Sequence, residues 1–252
     1  MTYNYPEAKS IVVCGDIHGA FEEMVFKLCV QYGMSDTLLI VAGDCGFGFE
    51  KPGYYDQVFN KISRRLIKAN NWILMIRGNH DDPAYFQEQR IRNVRFRCIP
   101  DYSIVSACDH TILCVGGAIS IDRTYRQLVD SRTHSEQTAS YWEDEMPVLN
   151  TEALASINEK FKIDTVITHT APSFCELTTK DGLAGWAQMD AALLQDCDKE
   201  RSVLDGIFDS LFEAGHPLRH WLYGHFHQSW NAALYGILFT MLDIMEFKEL
   251  RE

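Results

Sequence analysis

The chain has 252 residues, 46% hydrophobic and 23% charged, a composition that excludes a disordered or low-complexity protein and is enough for one domain, 1–252, with a sizeable core. Its 23 basic residues against 35 acidic ones give a formal net charge of −12, which disfavours extended nucleic acid, whose binding draws affinity from neutralised phosphates. The eight cysteines form no C-x-x-C pair and several lie in apolar runs, and no stretch approaches a membrane span, so the chain reads as cytoplasmic with reduced thiols.

Ser10 to Cys14 reads as a short buried strand, and Phe21, Met24, Val25, Leu28 and Tyr32 follow at helical spacing. Thr37 to Ala42 is a second strand. Tyr55, Val58, Phe59, Ile62 and Leu66 form the apolar stripe of a second helix, and Trp72 to Ile76 is a third strand. This alternation predicts a mostly parallel sheet with crossover helices, whose functional residues collect at the carboxyl ends of the strands. Positive charge gathers at Arg90, Arg92, Arg95 and Arg97, which reads as a solvated face. Tyr102 to Val105 and Thr111 to Val115 lack a helix between them and predict a second sheet with antiparallel pairing. Residues 121–150 are polar with little periodicity and predict a surface excursion, and a second irregular stretch is expected near 173–185. Between them Leu154, Ile157 and Phe161 restore helical spacing before a strand at Asp164 to Thr168. Val203 to Phe212 is helical, His220 to Tyr223 is a strand, and Ala232 to Asp243 predicts a closing hairpin.

Five clusters sit at the ends of these strands: Gly15-Asp16-Ile17-His18-Gly19, Gly43-Asp44, Gly78-Asn79-His80-Asp81, Thr168-His169 and Gly224-His225-Phe226-His227. Asp, Asn and His are the donor types of a two-metal hydrolytic site. Asp16 and His18, two residues apart, point to one side of an extended segment, and the flanking glycines let the backbone bend. Taken alone, that cluster is also compatible with a turn bearing a surface histidine, and Asp44 with a helix cap. The run Arg77 to Asp81 is harder to explain as packing, because a strand ending in polar residues and glycine buries little. His110, His134, His216 and His220 lack such company and read as packing or surface residues.

Together, in this order, the clusters resemble the calcineurin-like metallophosphoesterase superfamily over Asp16 to His227. The resemblance implies an α/β fold, a four-layer αββα sandwich of two mixed β-sheets flanked by helices. It implies a dinuclear site in which Asp16, His18 and His227 hold one metal ion, Asn79, His169 and His225 hold the other, and Asp44 bridges both. The ions would be two divalent or trivalent cations, with manganese, iron, zinc, cobalt and nickel all compatible with such donors. A bridging hydroxide would attack phosphorus while His80, not itself a ligand, assists the leaving group. Asp81 would orient His80, or else cap a helix.

One departure bears on substrate. Protein serine/threonine phosphatases of the superfamily, and the symmetrical dinucleoside tetraphosphatases that resemble them, continue the second cluster as Gly-Asp-x-x-Asp-Arg-Gly, whereas here Phe47 and Gly48 replace the Asp and Arg. Arg77, directly before Gly78, does resemble those enzymes, so the two signals point in different directions. The loss of the Asp and Arg favours a small-molecule phosphoester over a phosphoprotein. Arg77, Arg123 and Arg126 are the candidates for gripping phosphate, and Phe47, Phe49, Tyr125, Trp142 and Trp186 for an aromatic pocket, with core or surface packing as the alternative for each. The competing functions are a protein phosphatase, a nuclease, which the acidic balance opposes, and a non-catalytic metal-binding scaffold, which the intact seven-residue ligand set opposes.

Overall fold

The structure is a computed structural model that describes residues 1–51, 53–91, 93–133 and 139–251; Arg92 and His134, singled out above, lie outside the described residues. In chain order the strands are β1 (Thr2–Asn4), β2 (Ser10–Cys14), β3 (Thr37–Val41), β4 (Trp72–Met75), β5 (Phe96–Cys98), β6 (Ser103–Ala107), β7 (His110–Val115), β8 (Thr165–Thr168), β9 (His220–Tyr223), β10 (Trp230–Leu234), β11 (Ile237–Met241) and β12 (Phe247–Glu249). The helices are α1 (Phe21–Phe26), continued by a π-helical turn over Lys27–Gln31, then α2 (Tyr54–Ala69), α3 (Ala84–Gln87), α4 (Arg123–Thr133), α5 (Thr151–Lys160), α6 (Leu183–Trp186) and α7 (Leu193–Glu213).

Two mixed sheets result. One has the order β12-β2-β3-β4-β5 and the other β1-β6-β7-β8-β9-β11-β10. In the first, β2 to β5 are parallel and β12 adds an antiparallel edge. In the second, β6 and β7 pair antiparallel as expected, β7, β8, β9 and β11 run parallel, and β10 closes the sheet as a hairpin with β11.

The alternation along β2 explains the layering. Ile11 and Val13 face the second sheet and pack with Leu38, Ile40, Leu74, Ile112, Ile167 and Leu222, while Val12 and Cys14 face outward under α1 and α2. A strand covered on both faces reads as a continuous apolar run because each face needs its own contacts. The outer face of the second sheet is covered by Leu154 and Ile157 of α5 and by Leu204, Ile207, Phe208 and Leu211 of α7. The order of layers is therefore helix, sheet, sheet, helix. Ile167 is completely buried between the sheets, so Ile167→Val is expected to cost about 0.5–1.5 kcal/mol, measured as a lower denaturation midpoint in urea.

Three further findings differ from the sequence reading. β1, β5 and β12 are strands of three residues, too short to show a period of two. The polar stretch 121–150 contains α4, and at Glu145, 2% exposed, it dips into the interior. Phe47 is core, not pocket: it lies among Phe21, Tyr55, Phe59, Tyr85 and Phe86. The eight cysteines are unpaired, and among the described residues no helix is long and apolar enough to cross a membrane.

Candidate metal centre

Each of the five clusters emerges where a strand ends. β2 leads to Asp16 and His18, β3 to Asp44, β4 to Asn79 and His80, β8 to His169, and β9 to His225 and His227. The turns are tied together by backbone hydrogen bonds. Ile17 and His18 donate to the Asp44 carbonyl at 3.1 and 2.8 Å, and Gly224 donates to the His169 carbonyl at 3.1 Å. His18, Asp44, His225 and His227 all have positive φ, between 42° and 71°, a conformation that costs energy for non-glycine residues and collects at functional sites. The glycines make room: a Cβ on Gly78 would fall on Asp44 and His169, and one on Gly224 on Asp16.

Donor atoms converge in two groups that share Asp44, one of Asp16, His18, Asp44 and His227, the other of Asp44, His169 and His225, with the atoms of each within 4.8 Å of one another. Asn79 joins the second through its Oδ1, 3.1 Å from His169 Nε2. All seven residues expected as ligands are thus brought together.

The chemistry of these atoms fits a cation. His169 Nδ1 lies 2.7 Å from the Ala42 carbonyl and donates to it, which directs Nε2 at two oxygens, Asn79 Oδ1 and Asp44 Oδ1, each 3.1 Å away. A lone pair among acceptors calls for positive charge. Although burial opposes it, the negative charge of Asp44 lifts the His169 pKa to about 9, so a proton there meets the same demand that a metal ion would. Burial likewise opposes ionisation of Asp44, yet His169 and His80 hold its carboxyl well below the usual carboxylate range. In the first group His18 Nε2 and His227 Nε2 are 3.1 Å apart, with Asp16 Oδ2 3.0 Å from the latter. His225 Nε2 is buried with no hydrogen-bond partner. Burial, with Lys180 and His169 nearby, holds the His225 pKa well below its ordinary value, so the ring is neutral, the state that ligation requires.

His80 stands beside this centre between two clefts. A larger one of about 470 Å³ is lined by Asp44, Asn79, Arg126, Lys180, Trp186 and His225 among others, and a smaller one of about 310 Å³ by Phe49, Tyr54 and Tyr55. Phe49 stacks near the imidazole with centroids 6.3 Å apart, and Arg126 Nη2 donates to its Nε2 at 2.9 Å.

Several expected roles change. Asp81 does not touch His80. Its carboxylate is filled by the backbone amides of Cys45, Gly46, Phe47 and Gly78 at 2.8–3.0 Å, so it locks the second cluster to the third. Nor does Asp81 cap α3, whose N-cap is Pro83; the turn before it is closed by Asp82, which accepts from Ala84 N at 2.9 Å. Arg77 does not grip phosphate, because all its N–H groups are engaged by Asp101 and by the carbonyls of Asp144, Glu145 and Met146. Arg123 is held by Asp190 and Asp196 at 2.6 and 2.8 Å and does not line the cleft. Of the three arginines, Arg126 alone lines it, as does Trp186 among the aromatic candidates. His110 and His216 are bonded within the fold, to Asp164 and Ile163 respectively.

Sequence reasoning missed Lys180, Ser120 and Glu145. Lys180 donates to the Ile119 carbonyl at 2.7 Å. Ser120 is the polar residue that follows the apolar run and glycine pair of β7, the same signature as the other clusters. Glu145 was hidden in the charged run Glu143-Asp144-Glu145.

A sequence model of the calcineurin-like phosphoesterase family matches residues 9–229. The fold is similar to that of TT1561 from Thermus thermophilus, with a TM-score of 0.53, 12% identity and coverage of 96% of this chain and 98% of that one. It is also similar to a putative 5'-nucleotidase from Staphylococcus aureus solved with alpha-ketoglutarate, with a TM-score of 0.53, 10% identity and coverage of 95% of this chain but 50% of that one. With the match running from the first strand of the parallel sheet to the last histidine of the metal centre, the chain belongs to the calcineurin-like phosphoesterase family of metal-dependent phosphoesterases.

Proposed function

We propose that this protein is a dinuclear-metal-dependent hydrolase of a small-molecule phosphoester. The observation that carries the proposal is the convergence of donor atoms in two groups that share Asp44, with the buried His225 Nε2 left without a hydrogen-bond partner. Asp16, His18 and His227 would hold one ion, Asn79, His169 and His225 the other, and Asp44 both. When bound, two such cations activate a water for attack on phosphorus and neutralise the phosphate oxygens. Aspartate, asparagine and histidine donors suit manganese as well as iron, zinc, cobalt or nickel.

The chain's own groups divide the remaining work. Asp44, accepting from His80 N at 2.8 Å, ties the His80 backbone to the centre. His80 assists departure of the leaving-group oxygen from its place between the clefts. Arg126 grips the phosphate: an oxygen arriving beside His80 takes over the guanidinium hydrogen bonds, supplying the contact that Gly48 cannot. No side chain fits at Gly48, where a Cβ would meet Trp142 and Asp82 at 2.5 and 2.7 Å. Lys180 and Trp186 in the same cleft suit an anionic substrate of limited size. The eight unpaired cysteines support a reducing, cytoplasmic setting, and we treat residues 1–252 as one domain.

Assaying the metal-loaded protein against phosphomonoesters, phosphodiesters, cyclic nucleotides and dinucleoside polyphosphates tests this reading. Turnover of a small phosphoester is expected. Arg126→Ala should then lower kcat/KM about 10- to 100-fold, mainly through KM, as loss of a charged hydrogen bond of about 1.5–3 kcal/mol implies. No turnover across the panel with both ions bound would refute the proposal.

A further inference from the structure

An asparagine can ligate a cation only through its amide oxygen, and nothing in the side chain itself prefers that face over the NH₂ face. In this structure the choice is made by a chain of hydrogen bonds behind Asn79. Its Nδ2 lies 3.0 Å from Ser120 Oγ, and Ser120 Oγ lies 2.6 Å from Glu145 Oε2. The Ser120 backbone N–H also donates to Glu145 Oε1 at 2.8 Å. Burial raises the Glu145 pKa to about 7, and above that its carboxylate accepts only; the one Ser120 hydroxyl proton then goes to Glu145 and the Oγ lone pair faces Asn79. Only the NH₂ group can satisfy that lone pair. The amide oxygen is therefore turned the other way, toward His169 Nε2 and the metal centre.

The far end of this relay is braced. Glu145 is 2% exposed, and its carbonyl accepts from Arg77 Nη1 at 2.7 Å and from Ala118 N at 3.1 Å. Arg77 is in turn fixed by Asp101. The arginine next to the third cluster thus builds the support for the asparagine two residues later, by way of a segment almost seventy positions further along.

We propose that Glu145 is a positioning residue which, through Ser120, fixes the Asn79 amide with its oxygen toward the metal. The inference rests on the two-metal reading above. Glu145→Gln puts an amide opposite Ser120, so the hydroxyl proton is no longer committed and Asn79 can turn over. Ser120→Ala removes the relay with the loss of one oxygen and decides the matter if Glu145→Gln does not fold.

The test is calorimetric titration of the chelator-stripped full chain with Mn²⁺ at pH 8, together with electron paramagnetic resonance of the loaded protein. In both variants one of the two ions should bind about 10- to 100-fold more weakly, the usual cost of losing an outer-shell partner. The other should be unchanged, and the Mn–Mn coupling should fade at stoichiometric metal. Ser120→Thr, which keeps the hydroxyl, should retain both ions. Wild-type affinity at both sites in Ser120→Ala, or equal weakening of both, would overturn the relay while leaving the two-metal reading intact. Fewer than two ions on the wild type would overturn both.

Discussion

Replacing Asp44 with asparagine is expected to weaken both metal ions together, by more than the roughly 10- to 100-fold that outer-shell changes cost. Asp44 belongs to both groups of converging donors, is 1% exposed and is held ionised by the histidines around it. Asparagine preserves the shape and can still accept from the His80 amide, but it removes the negative charge and one of the two oxygens that a shared ligand needs. Substitution at His18 or at His225, which each lie in one group only, should instead weaken one ion more than the other. Elemental analysis and metal titration of Asp44→Asn distinguish the cases, and two full equivalents bound with wild-type affinity would contradict a shared role.

His80→Ala is expected to lose about 10²- to 10⁴-fold in kcat, the range of a positioned acid–base group, while keeping its metal. The separation is possible because His80 contributes no side-chain atom to either group of donors, and its link to Asp44 is through the backbone amide, which alanine retains. Steady-state kinetics with metal content measured on the same sample checks this. Unchanged hydrolysis of the preferred substrate would remove His80 from the mechanism, and loss of metal in step with activity would make it a structural residue.

What the sequence made legible follows from the range of the physics involved. The central strands showed themselves because burial on both faces requires an unbroken apolar run, and the ligands because Asp, Asn and His stand where such runs stop. Both signals lie within a few residues of each other. The family pattern then ordered residues that are more than two hundred positions apart. What stayed hidden depends on distant partners. Asp81 and Arg77 looked like site residues because they adjoin Asn79 and His80, yet the amides at 45–47 occupy the first, and Asp101 with the carbonyls at 144–146 occupies the second. Arg123 and Arg126 were indistinguishable in the sequence. They lie three residues apart on α4, Arg123 bound to Asp190 and Arg126 to His80. Glu145 could not be told from its charged neighbours without the fold that buries it.

Anomalous diffraction from crystals of the Mn²⁺-loaded protein would locate both metal ions and their contacts to Asp44 in one measurement. Two peaks about 3.5–4 Å apart are expected, one among Asp16, His18 and His227, the other among Asn79, His169 and His225, with Asp44 touching both. A single peak at full loading, or two peaks without a shared contact to Asp44, would contradict a pair of ions sharing Asp44.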